Sequence, residues 1–211
     1  MNRQHFINLP TLHVVGDSIS IHYGPQLQVL LAGVMTYSRK AALDGSLAET
    51  GDANGGDSTQ VLAYLKTLQA DQHFDYLLIN CGLHDIKRDR ATKRLQVPLE
   101  QYVANLRDSV SIAARLAGQL IWVRTTPVID ERHNRLNPAC QRFAADVEAY
   151  NATADRIMHA YAIPTIDLFT FTRNLGIDVY VDHVHFVERA RAQQAAFIAG
   201  HLYPLAAAGA Q

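Results

Sequence analysis

Short apolar runs and helical stripes alternate along this chain. Apolar runs of strand length stand at 11–15 (TLHVV), 75–80 (DYLLIN), 119–125 (QLIWVRT) and 163–167 (IPTID), with a weaker one at 34–41 (VMTYSRKA). Continuous apolar runs bounded by turns suit strands covered on both faces. Between them the period lengthens. Val61, Leu62, Leu65 and Leu68 share one helical face, and Val103, Leu106, Val110 and Ala113 form a second stripe behind Pro98, a residue suited to a first helical turn. Phe143, Val147, Tyr150, Ala154, Ile157 and Tyr161 form a third, behind an Asn137-Pro138 start signal, and a last helix is expected from about Glu188 to Leu202.

Strand–helix alternation predicts a parallel sheet with right-handed crossovers, a three-layer α/β/α sandwich built on five strands. The 211 residues show no internal repeat, linker or low-complexity tract, so a single domain over 1–211 is expected. Apolar residues make up 48% and charged residues 18%, an ordinary globular balance. A net charge of −1 gives no electrostatic case for nucleic acid or an anionic membrane surface. The opening MNRQHFINLP has no apolar core of signal-peptide length and no later run approaches a membrane span, so a cytoplasmic location is expected. Two cysteines, Cys81 and Cys140, make neither a disulfide framework nor a CxxC zinc pair. Cys81 reads as a buried small hydrophobe.

In open parallel sheets, chemistry gathers beyond the carboxyl ends of the strands. Here those ends carry Gly16-Asp17-Ser18, Asn54-Gly55-Gly56-Asp57-Ser58, Cys81-Gly82-Leu83-His84-Asp85, Thr125-Thr126-Pro127, and Asp182-His183-Val184-His185. Each supplies glycine, hydroxyl, imidazole or carboxylate groups. Taken alone, Ser18 after an aspartate is an ordinary helix cap; the company of the other strand ends gives it a second reading as a nucleophile.

Four blocks in order resemble the SGNH hydrolases, the GDSL esterase/lipase family: GDS at 16–18, NGGDS at 54–58, GLHD at 82–85 and Asp-x-x-His at 182–185. The resemblance spans nearly the whole chain and implies a flavodoxin-like sheet order. It implies a cofactor-independent serine esterase, with Ser18 as nucleophile, His185 as general base and Asp182 as the carboxylate that orients the imidazole. His183 lacks the Asp-x-x-His spacing. The implied oxyanion donors are the backbone N–H of Ser18, the N–H of a block-two glycine and the third-block side chain. Gly56 matches best because it precedes Asp57, with Gly55 as the alternative. The third block departs from the family, which places asparagine where this chain has His84. A neutral imidazole can donate from one nitrogen, whereas an imidazolium would bind an oxyanion more strongly and make activity pH-dependent. Asp85 reads as a turn carboxylate.

The segment Ile86–Val97 sets Lys87, Arg88, Arg90, Lys93 and Arg94 against Asp89, and reads as a solvated loop face. The polar loop Asp130–Asn137 offers Arg132, His133 and Asn134 to a pocket. Neither is a long apolar lid, which favours a short acyl ester on a polar alcohol, sugar acetates included, and a small-molecule or saccharide partner. Two other readings stand beside this one. One is a metal-assisted hydrolase using Asp17, His84, Asp85, His183 and His185, although no HExxH spacing supports it and Ser18 has no part in it. The other is a carbohydrate-binding domain without turnover.

Overall fold

The computed structural model describes residues 9–41, 45, 47, 51–68 and 72–209. The outermost parts of the expected single domain, 1–8 and 210–211, lie outside the described residues. Five parallel strands form one sheet: β1 (Thr11–Val15), β2 (Thr36–Arg39), β3 (Phe74–Ile79), β4 (Ala117–Val123) and β5 (Thr165–Ile166), in the order β2-β1-β3-β4-β5. This is the flavodoxin-like order, and its direction reverses between β1 and β3, the position where such sheets open a crevice. Val14 and Val15 pair with Leu78 and Ile79, which pair in turn with Ile121 and Trp122. All six side chains are buried, because helices cover both faces of the central strands. β2, at one edge, alternates between exposed and half-buried positions.

Among the described residues seven helices flank the sheet: α1 (Ser18–Leu30), α2 (Ser58–Thr67), α3 (Leu99–Leu116), α4 (Asp130–Leu136), α5 (Ala144–Ala160), α6 (Leu168–Asn174) and α7 (Glu188–Gly209). α1 packs with α7, and α7 with α6; α2 packs with α3, and α3 with α5. The expected three-layer α/β/α sandwich is what these contacts build. No described helix is long and apolar enough to cross a membrane.

Several boundaries differ from the sequence pattern; α7, for one, continues past Leu202 to Gly209. Asn137-Pro138 does not start α5; Asn137 closes α4, and α5 begins at Ala144. The stretch read as a polar loop at Asp130–Asn137 is α4 itself, opened by the acidic pair Asp130 and Glu131 at its positive end. The run at 119–125 leaves the sheet at Val123 because Asn151 of α5 takes over its pairing: Thr125 N donates to Asn151 Oδ1, and Asn151 Nδ2 donates back to Thr125 O, both at 2.9 Å. An amide side chain there imitates a neighbouring strand.

Candidate active site

The end of β1 turns into α1 within two residues. Asp17 caps the helix, its Oδ1 accepting Ile19 N–H at 3.0 Å, which sets Ser18 as the first helical residue. Asp17 is buried, and burial raises its carboxyl above the ordinary aspartate value. The second glycine block packs directly on this turn. Gly55 N donates to Gly16 O at 2.9 Å, and a Cβ on Gly55 would stand 2.9 Å from the carbonyl of Gly16. Only glycine permits that approach. Gly56 has φ +69°, a left-handed conformation, and its N–H donates to Asn54 Oδ1 at 2.9 Å. Asp57 then opens α2 with a capping box, accepting Thr59 and Gln60 N–H while Gln60 Oε1 accepts Asp57 N–H.

Beyond α6 the chain forms a tight turn pinned by an antiparallel bridge between Tyr180 and Phe186 and by Val181 N donating to His185 O. Asp182 organises this turn with one oxygen and the imidazole with the other. Its Oδ1 accepts the backbone N–H groups of Val184 and His185, each at 2.7 Å, and its Oδ2 lies 2.7 Å from His185 Nδ1. Partial burial pulls the Asp182 carboxyl upward. Those two N–H groups and the imidazole outweigh it and hold the group well below the usual carboxylate range. An ionised Asp182 has no proton to give, so Nδ1 of His185 carries one and Nε2 of the neutral ring is bare. That bare nitrogen lies 2.8 Å from Ser18 Oγ. The sequence therefore brings Ser18, His185 and Asp182 into one hydrogen-bonded chain across 167 positions. His183 flanks this chain without joining it, its ring 4.9 Å from that of His133 and 6.0 Å from that of His185, and its Nδ1 3.6 Å from Asp182 Oδ1.

The third block lies beside β1 at the switch point. Gly82 (φ +148°) starts a turn in which Ile86 N donates to Gly82 O, and a Cβ there would collide with Thr125 Oγ1. His84 is half-buried, and Lys87 Nζ reaches its Nδ1 at 3.1 Å. Burial, with the charges of Lys87, Arg142 and His185 nearby, depresses the His84 imidazole to about 3. This favours a neutral ring near neutral pH, the first of the two states open at the level of sequence.

Several supporting residues carry little signal in the sequence. Arg142 is buried and donates from Nε to Leu83 O at 2.6 Å, holding the third-block loop from behind. Arg132 and His133, expected to face a pocket, instead grip the Asp182–His185 turn. Arg132 donates to the carbonyls of Asp182 (2.5 Å) and Tyr180 (3.0 Å), and His133 Nδ1 lies 3.3 Å from His183 O. The basic segment after Ile86 is not a free solvated face either. Arg88 forms a two-pronged pair with Asp146 at 2.7 Å, Arg90 donates to the carbonyls of Asn134 and Asn137, and Lys93 Nζ reaches Gln141 Oε1 at 2.9 Å. Among the described residues no group of three His, Cys, Asp or Glu side chains is arranged to hold a metal ion.

A model of the GDSL-like lipase/acylhydrolase family matches residues 14–195, from β1 into α7, and so includes all four blocks. The chain belongs to this family. As a GDSL-like acylhydrolase it is a carboxylic ester hydrolase. Its fold is similar to that of a lipase/acylhydrolase from Enterococcus faecalis (TM-score 0.72, 15% identity, 93% of this chain and 97% of that one). It is also similar to an acetylxylan esterase, Axe2, from Geobacillus stearothermophilus (TM-score 0.66, 18% identity, 95% of each chain). A GDSL-like lipase from Bacteroides thetaiotaomicron aligns with a TM-score of 0.66 at 14% identity, over 93% of this chain and 89% of that one. No curated protein matches the chain by sequence.

Proposed function

We propose that the chain is a serine esterase that works through an acyl-enzyme on Ser18. The observation that carries this reading is the continuous relay from Ser18 Oγ to His185 Nε2 (2.8 Å) and from His185 Nδ1 to Asp182 Oδ2 (2.7 Å). Ser18 Oγ attacks the ester carbonyl carbon while His185 Nε2 takes its proton. The tetrahedral intermediate expels the alcohol, protonated by His185, and leaves an ester on Ser18. Water, deprotonated by the same nitrogen, then releases the acid and restores the serine. Asp182 holds the ring in the tautomer this requires and stabilises the imidazolium that forms.

Three donors serve the developing oxyanion in this reading: the N–H of Ser18, the N–H of Gly56 and the ring N–H of His84. The hydrogen bonds support Gly56 over Gly55. Gly55 N–H is tied to a backbone carbonyl that joins two loops, whereas Gly56 N–H rests on an amide side chain that can release it. The substrate class proposed is a short acyl ester on a polar alcohol, sugar acetates foremost. Support comes from the polar residues around Ser18 and from the structural likeness to an acetylxylan esterase.

Covalent labelling by a fluorophosphonate tests the nucleophile. The wild-type chain is expected to label, and Ser18→Ala is expected not to. Persistent labelling of Ser18→Ala, or hydrolysis lost to a chelator and restored by metal, would overturn the reading. A panel of acetyl, butyryl and octanoyl esters on simple alcohols and on sugars tests the substrate class, with acetylated sugars expected to turn over fastest.

A further inference from the structure

We infer that Lys87 is a positioning residue that fixes which ring nitrogen of His84 carries the proton. The inference rests on the reading of His84 as an oxyanion donor. An asparagine amide donates from one atom whatever its surroundings, but a neutral imidazole has two forms and only one N–H. The chain therefore needs a device that selects the form, and Lys87 has the position for it.

Lys87 Nζ lies 3.1 Å from His84 Nδ1. An ammonium has donors and no acceptor, so the nitrogen it contacts must be bare. The single proton of the neutral ring then sits on Nε2, the nitrogen on the other side. The spacing His84-x-x-Lys87 is set by the backbone of the same turn, with Lys87 N donating to His84 O and Ile86 N to Gly82 O. Arg142 fixes the turn through Leu83 O. Among the described residues Lys87 forms no ion pair with a carboxylate, although it is half-buried. The contact its ammonium makes is with an imidazole nitrogen, while Asp57 and Asp17 act on its charge only through space, and that contact serves tautomer selection. The positive charge beside the ring also opposes a second proton there, which keeps the ring a neutral, one-sided donor.

Nitrogen-15 NMR of the resting enzyme, without substrate, reads the tautomer directly. In the wild-type chain His84 is expected to be protonated on Nε2 and bare on Nδ1. Lys87→Arg keeps a donor at that position and is expected to preserve this pattern. Lys87→Glu offers an acceptor instead, so the proton is expected on Nδ1, and kcat is expected to fall about a hundredfold, as for removal of one oxyanion donor. Lys87→Met adds no charge and guards against a folding defect: its Nδ1 resonance is expected to move to the position of an unbonded nitrogen while Ser18 still labels. A wild-type ring protonated on Nδ1, or a Lys87→Glu ring still protonated on Nε2, would overturn the inference. Failure of Ser18 to label in the wild type would overturn the esterase reading instead, so the two are tested apart.

Discussion

The carboxylate of Asp85 receives the backbone N–H of Ser58 on both oxygens, at 2.9 and 3.1 Å, and so ties the third block to the first turn of α2. This aspartate is buried, and burial raises its carboxyl from 3.8 to about 6 against the opposing pull of the Ser58 hydrogen bonds. With a folded value above the unfolded one, the native state holds the proton more tightly. Stability from this group is complete below about 4 and is lost as pH rises through about 6. Across that window the loss is on the order of 3 kcal/mol. Asp85→Asn is expected to remove this slope, so the urea midpoint of the wild type should fall relative to that of Asp85→Asn as pH is raised from 4 to 7.

His84 yields a prediction that separates donor from charge. His84→Ala is expected to lower kcat by about 10²–10³ with little change in KM, the pattern for a group that acts on the transition state. His84→Asn supplies an amide and is expected to retain most of the rate. Because the ring is held neutral down to about 3, neither substitution is expected to move the acid limb of the pH–kcat profile. A shift of that limb in His84→Asn would show that the imidazole titrates in the working range.

Arg132 holds the turn that carries His185, the proposed base. Loss of its bonds to Asp182 O and Tyr180 O leaves His133, at His183 O, to hold that turn to α4. Small misplacements of a reacting group are costly, up to about 10²-fold for ~1 Å. Arg132→Ala is expected to lower kcat roughly tenfold while the melting temperature changes by only a few degrees. Arg132→Lys, which keeps one donor, is expected to recover part of the loss.

At Gly56 the expected effect is on stability. An added Cβ would stand 1.9 Å from Gln60 Oε1 on a backbone with φ +69°. Gly56→Ala therefore combines left-handed strain with loss of the Gln60 half of the capping box, roughly 2–3 kcal/mol together. Denaturant unfolding followed by circular dichroism would record it.

The alternation of runs and stripes was enough to read the sheet, since buried parallel strands leave an apolar signature that survives in one sequence. That Asp182 would meet His185 was legible because their spacing is local, whereas Ser18, 167 positions from His185, was joined to them only through the family resemblance. What stayed hidden is what depends on distant partners. No period announces α1, which is buried over much of its surface and carries Pro25 inside it. Arg142 and Arg132 act through backbone carbonyls, and a carbonyl belongs to every residue, so nothing in the letters marks the recipient. The cations after Ile86 look solvated in sequence because Asp146, Gln141 and the end of α4 lie about 40 to 60 positions further on.

The packing of α1 against α7 gives activity a second use. Ser18 opens the first of these helices, and His185 lies just before the second. Neither half of the relay has meaning until the two helices dock. Ester turnover during refolding therefore times the docking of these two helices, and a chain with its sheet formed but α7 undocked is expected to be silent. Recovery of turnover lagging behind recovery of far-ultraviolet circular dichroism would be the kinetic mark of that final closure.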